Sequence, residues 1–375
     1  MPRRAARQDH DPDQCRWRVM EAVRALDVIR AAEDALAAGR TDEGFLSERW
    51  GLLPTEPPLI AMPASHRVWD DVADALPGHF RRTTVRDALD RMPILDASPA
   101  ALPAAFLWRA SSLLSIFAHA YVRVRPDRPN GLPPSVELPW TEVCRRLHRD
   151  HVALTYDDLI ACNWRLRDPS RPDHRVLDNL ELLTPTVGNR EERIFYLTQV
   201  EILALGAPMI AAMARAQDAV VRGDTRVLES QLMILQDTLE RVTRSFLQID
   251  ANPYSDTYVD PVVWAKTVAP FAVPIRDDSH AISGAAAPLF QLLDVFIGRT
   301  KYESRVGREA RSLRTGFPPR LRALVAVLEA ISVPQFIAGA GSTTLRGLWQ
   351  SLLDGYVGRE GFLAAHRKKA FAYLE

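Results

Sequence analysis

The sequence predicts an all-α chain of two helical units, and three observations carry that prediction. Apolar residues recur at helical spacing over long stretches, while few stretches alternate as strands do. No α/β alternation is present. GxGxxG, Walker, HExxH, GxSxG and CxxC patterns are absent, which removes the sequence basis for nucleotide-binding, zinc-hydrolase and serine-hydrolase readings. A long Pro- and Arg-rich connection, "RLRDPSRPDHRVLDNLELLTPTVGN", separates two helix-rich halves, and 375 residues suffice for two domains with sizeable cores. The expected division is a helical extension over residues 1–43, a smaller helical domain over 44–185 and a larger one over 186–375.

Asp11-Pro12 is a good helix start, with Pro at the first helical position, and the run that follows ends at Gly39, a C-cap. A Pro-rich loop, "GLLPTEPPLIAMP", comes next. Helices are expected over 65–76, 85–91 and 103–124. The stretch "RVRPDRPNGLPPSVELP" reads as a loop by its Pro and Gly content, and helices resume at 139–147 and 155–165. A short irregular strand is placed around 180–183. The segment 191–217 is apolar nearly all round despite Pro208, which marks a central helix. Segments 225–248, 261–271, 287–297, 319–330 and 345–374 complete the helical set.

Composition narrows the function classes. Lys+Arg and Asp+Glu both number 47, so the basic excess of a dedicated nucleic-acid binder is missing. Cys15, Cys144 and Cys162 form neither a disulfide framework nor a paired motif, which points to a reducing compartment. The N-terminus is basic but has no apolar run behind it, so it is not read as a signal peptide. The most apolar stretch, "ALPAAFLWRASSLLSIFAHAYV", contains Arg109, three serines and His119. It reads as a buried core helix rather than a membrane span. A cytoplasmic protein with no membrane and no nucleic-acid partner is expected.

One position stands out within this pattern. In "GFLAAHRKKAFAYLE", the helical neighbours of His366 are Phe362, Leu363, Ala370 and Tyr373, while Arg367, Lys368 and Lys369 fall on the other side and face water. An inward imidazole needs partners for its nitrogens. On this stretch alone, a core histidine bonded to a carbonyl is the preferred reading, with a metal or haem ligand as the alternative.

Five stretches in order resemble the indoleamine 2,3-dioxygenase family: "LTYDDLIACNWRLRDPSRP", "ERIFYLTQVEILALGAP", "SGAAAPLFQLLDVFIG", "GFPPRLRALVAVLE" and "GREGFLAAHRKKAFAYL". The resemblance runs from about Gly44 to Leu374, and the helix before Gly39 looks like an addition. It implies a two-domain helical fold with haem b in the larger C-terminal domain. It reverses the reading of His366, which is similar in position to the family's proximal iron ligand. His119 stays a satisfied core residue and His280 an exposed loop residue. By the same resemblance Tyr156, Leu159 and Ile160 line the deep end of an indole pocket, and Phe195 and Gln199 come from the distal helix. Trp264 stands against the substrate. Ser283 and Gly284 lie near the haem edge, with Phe290 and Asp294 also on the cofactor side. Gln199 and Ser283 are the residues given catalytic roles. Plain core packing is the alternative for Tyr156, Phe195 and Trp264.

Three departures from the family pattern bear on substrate. Ala269 stands where the family places an arginine for the substrate carboxylate, and alanine cannot make that bidentate bond. Lys266, one turn earlier, is expected to face solvent. Gln199 replaces a small serine and could donate to dioxygen or to a polar group of the substrate. The sequence ends at Glu375, nine residues beyond His366, where many family members continue into a Gly-rich closing segment. The expectation is a haem-dependent oxygenase that uses O2 on an indole-type aromatic without a free carboxylate, in specialised biosynthesis or tryptophan metabolism. An external electron donor would keep the iron ferrous. An ordinary L-tryptophan dioxygenase giving N-formylkynurenine, a non-enzymatic haem or dioxygen binder, and a haem-free helical scaffold are the alternatives.

Overall fold

A computed structural model describes residues 23–125, 131–171, 175–276, 287–300, 308 and 311–374. It is all-α, apart from one short two-stranded ribbon among the described residues. The described part of the first helix, α1 (Ala25–Ala37), ends as expected. Gly39 is left-handed (φ 75°), its N–H bonds to the Leu36 carbonyl and that of Arg40 to the Ala35 carbonyl. The Asp11-Pro12 start lies outside the described residues. Helices α2 (Arg67–Arg82), α3 (Val85–Asp90), α4 (Leu107–Arg123) and α5 (Pro134–Arg146) follow. Helix α5 begins earlier than expected, because Pro134 occupies its first turn, where a missing N–H costs nothing.

The helix expected over 155–165 is not formed. A single π turn, Asp157–Ala161, stands there, followed by strand β1 (Trp164–Leu166), which pairs antiparallel with β2 (Leu180–Leu182). The polar groups of α4 are the reason. Ser111 Oγ donates to Asp158 Oδ1 at 2.6 Å and Ser112 Oγ to the Asp158 carbonyl at 2.5 Å. Arg149 binds both carboxylate oxygens of Asp158 at 2.8 Å, and the Thr155 N–H and hydroxyl each add a bond at 2.9 Å. A carboxylate holding this many donors fixes the local backbone more firmly than helix propensity does.

Helix α6 (Arg190–Arg222) is the central helix, packed against α7 (Thr225–Leu247), α1 and the π turn. It is long and apolar enough to pass for a membrane span, but its apolar window is 72% buried within the protein. The Asn189 side chain caps its N-terminus through the Glu192 N–H at 2.9 Å. The Glu192 carboxylate turns back to accept the amide N–H groups of Thr186, Val187 and Gly188. Gly206 is required for close approach, since a Cβ there would lie 2.3 Å from the Leu289 side chain. That contact brings in α9 (Pro288–Phe296), after the short helix α8 (Pro261–Thr267) and the 3-10 turn Ala269–Ala272.

The C-terminal region differs from expectation. Helix α10 (Pro319–Ala330) is as read, and α11 (Val333–Gly339) adds a helix that was not anticipated. The single helix expected over 345–374 is two: α12 (Thr343–Val357) and α13 (Phe362–Leu374). The break falls at "GREG", where a Cβ on Gly358 or Gly361 would lie 2.3 or 2.6 Å from the Asp354 carbonyl oxygen. The main hydrophobic core runs continuously from Ala25 to Phe362.

Candidate active site

The described candidate residues fall on five elements: the π turn, the start of α6, the short helix α8, α9 and the C-terminal helix α13. The Asp158 anchor sets the turn, and so sets Tyr156, Leu159 and Ile160. All three side chains are buried. The Tyr156 hydroxyl has no hydrogen-bond partner among the described residues, and burial, with Asp157 adding, pushes its pKa up. The neighbouring Asp157 is half-buried, and burial plus the adjacent Asp158 push it up to about 7 against the pull of Arg149.

On α6, Phe195 packs edge-on against Trp264 of α8, with ring centroids 5.3 Å apart. Trp264 in turn meets Tyr373 of α13 at 5.6 Å. The Trp264 indole N–H is buried without an acceptor among the described residues, as are the Tyr196 and Thr198 hydroxyls. Gln199 is half-buried, and its amide bonds to nothing among the described residues. Lys266 is exposed, as expected, and Ala269 opens the turn beyond the end of α8. Sequence reading overlooked Arg193. It is half-buried two residues before Phe195, has no ion-pair or hydrogen-bond partner among the described residues, and is held below its ordinary pKa by burial and by Arg167 and Arg190. A charged residue ahead of an apolar stretch was the available sign.

On α13, His366 is half-buried, and its ring nitrogens have no partner among the described residues. Phe246 of α7 lies 5.4 Å from the imidazole and Phe362 lies 6.2 Å away. Phe362 stacks on Phe290 at 4.1 Å. Phe290 therefore backs the His366 helix, while Asp294, on the same helix α9, pairs with Arg299 at 3.0 Å. Burial lowers the His366 pKa, which favours neutral imidazole, the ligand form. One expectation fails here. Arg367 and Lys368 are exposed, but Lys369 turns inward, and its ammonium donates to backbone carbonyls at the end of α7.

His119 is buried against Phe271, with burial and Arg123 lowering its pKa to about 3. It is a core residue as expected but not a satisfied one, because its Nδ1 has no partner among the described residues. Cys144 and Cys162 are free and buried, and burial pushes Cys144 up to about 11, as befits inert thiols. Ser283, Gly284, His280 and Cys15 lie outside the described residues.

No group of three or more His, Cys, Asp or Glu that could hold a metal exists among the described residues. A metal held by protein ligands alone therefore has no support there. A lone open histidine walled by aromatic rings suits an iron that brings its other ligands with it, as haem does. The chain's relatives carry the same chemistry. A family model described as indoleamine 2,3-dioxygenase matches residues 42–285. The chain belongs to the indoleamine 2,3-dioxygenase family. Indoleamine 2,3-dioxygenase 1 of Mus musculus is 26% identical over 321 residues, covering 80% of this chain and 77% of that protein. Indoleamine 2,3-dioxygenase nanC of Aspergillus nanangensis is 26% identical over 352 residues, with coverages of 86% and 84%. Indoleamine 2,3-dioxygenase qulI of Penicillium citrinum reaches 28% over 226 residues, covering 56% of this chain and 50% of its own. Indoleamine 2,3-dioxygenases are haem-dependent oxidoreductases that use O2 on an indole, and family membership makes this chain such an enzyme. The family match ends at residue 285, ahead of the helices that carry Phe290, Asp294 and His366.

Proposed function

We propose that His366 holds the iron of haem b, in the larger unit 186–375, and that the enzyme oxygenates an indole compound lacking a free α-carboxylate. The observation that carries the haem assignment is the half-buried His366 ring, whose nitrogens are unpartnered among the described residues while Phe246 and Phe362 pack beside it. Haem, when bound, supplies the redox chemistry that activates dioxygen. The chain's own residues bind and aim the substrate. Phe195 and Trp264 offer aromatic faces, and Tyr156, Leu159 and Ile160 a buried apolar wall. The Tyr156 hydroxyl, the Trp264 indole N–H and the Gln199 amide are polar groups left available for substrate or dioxygen. Ser283 and Gly284 are assigned to the haem edge, and Phe290 and Asp294 to the cofactor side. An external donor keeps the iron ferrous. The cytoplasm is the proposed compartment, and neither a membrane nor a nucleic acid is a proposed partner.

The substrate preference rests on Ala269 and on the exposure of Lys266, which leave that part of the chain without a cation for a buried carboxylate. Arg193 favours a second reading. A half-buried guanidinium without a partner among the described residues can bind a carboxylate in bidentate fashion, and the enzyme would then be an ordinary L-tryptophan dioxygenase. Steady-state kinetics of L-tryptophan against tryptamine, tryptophan esters and cyclic dipeptides tests the two readings. The first predicts a kcat/KM at least about ten-fold higher for the carboxylate-free compounds. A clear preference for free L-tryptophan contradicts it.

A further inference from the structure

His366 lacks the usual means of fixing a ligand histidine. Ligating imidazoles commonly donate their second N–H to a carbonyl or carboxylate, which sets the ring orientation. Among the described residues no such acceptor meets His366. Its orientation must therefore come from packing and from whatever fixes the pitch of α13.

One residue does both. Lys369 lies three positions after His366, on the next turn of α13. Its ammonium donates to the Leu247 carbonyl at 3.1 Å and to the Ile249 carbonyl, with the Phe246 carbonyl at 3.5 Å. These groups close the C-terminal end of α7, where unpaired carbonyls and the helix dipole favour a cation. The same ammonium lies 5.2 Å from the centroid of the Phe246 ring. Phe246 is also the ring that packs against His366 at 5.4 Å, and it is itself buried. The cation and the imidazole thus both pack against one aromatic ring.

The end of α7 is not free to drift. Ser245 Oγ donates to Glu201 Oε2 of α6 at 2.8 Å, and Gln248 reaches the same oxygen at 3.3 Å. A continuous path therefore runs from Glu201 through the α7 terminus to Lys369 and Phe246, and so to His366. Arg367 and Lys368, the other cations on the helix, are exposed.

We infer that Lys369 is a positioning residue for His366: by capping α7 and clamping Phe246, it fixes where α13 presents the imidazole. This rests on the assignment of His366 as the haem ligand. The test uses four forms of the protein, haem-loaded for the first two readouts and ferrous for the first: wild type, Lys369→Met, Lys369→Arg and, as a control, Lys368→Met. Three quantities are read: the iron–histidine stretching band, the rate of haem loss to excess apomyoglobin, and amide hydrogen exchange of residues 362–374 in the haem-free protein. Lys369→Met should shift or split the band, release haem about ten-fold faster and raise exchange in that segment. Lys369→Arg should restore all three towards wild type, and Lys368→Met should leave them unchanged. An unchanged band and release rate in Lys369→Met would overturn the inference. Faster exchange with an unchanged band would also overturn it, because Lys369 would then be a helix cap and nothing more. A wild-type protein with no iron–histidine band would defeat the His366 assignment and this role with it. The exchange data would then still show whether Lys369 latches the helix.

Discussion

The Asp158 turn and the His366 face are both assigned to the proposed pocket, and they are built in opposite ways. At Asp158 each carboxylate oxygen takes at least two donors, and the facing Arg149, Ser111 and Thr155 groups are consumed in doing so. At His366 two ring nitrogens find no partner among the described residues, and the nearest neighbours are aromatic rings. A saturated buried network rigidifies and has nothing left to offer a ligand. An open, half-buried imidazole contributes little to stability and is available for coordination. The contrast separates a residue that holds the turn in shape from one left open, to which the proposed chemistry is assigned.

The sharpest way to break this comparison is at the anchor. Asp158→Ala leaves Arg149 buried without its carboxylate, and the expected loss is about 3–5 kcal/mol of folding stability. Urea denaturation of the haem-free protein measures it. A loss under about 1 kcal/mol would mean the network is ornamental. His366→Ala, in the same assay, should cost far less.

Arg193 offers the next effect. If the substrate carries no carboxylate, Arg193→Leu should leave kcat/KM for that substrate within about two-fold. If L-tryptophan is the substrate and Arg193 reads its carboxylate, the same variant should lose about a hundred-fold or more on L-tryptophan and little on tryptamine.

The smallest effect concerns Asp157, which is beside the anchor yet outside it. Its folded pKa of about 7 lies above the ordinary carboxylate value, so the folded protein binds more protons than the unfolded chain between about pH 4 and 7. Stability conferred by this group is therefore present at low pH and lost as pH rises through 7. Asp157→Asn should stabilise the protein at pH 8 by on the order of 1 kcal/mol, discounted for partial exposure, and by nothing at pH 4. Thermal melts at the two pH values check this, and a gain of equal size at both would show that charge burial is not its cause.

How far the sequence could be read follows the same division. Helical periodicity made α7, α9 and α10 visible almost to the residue, because their apolar stripes are continuous, and placed the start of α6 within one residue while ending it at 217 rather than at Arg222. It failed at 155–165, where long-range bonds from Ser111, Ser112 and Arg149 override local propensity. It also ran α12 and α13 together, since periodicity carries across "GREG" while the backbone does not. His366 was visible as an inward imidazole, and the family resemblance gave it a role. The inward turn of Lys369 was not visible, because a long side chain can reach back to carbonyls that its helical face does not point to. Arg193 was missed for a similar reason: nothing in local spacing says that a guanidinium has no partner among the described residues.

The central claim is that His366 is the iron ligand, and the ferrous haem protein tests it directly. Resonance Raman spectra of wild type, His366→Ala and His119→Ala should show an iron–histidine stretching band in the first and third and none in the second. His366→Ala should still fold, with its helical circular dichroism retained. A band that survives in His366→Ala but disappears in His119→Ala would contradict the assignment and move the ligand to the buried core histidine.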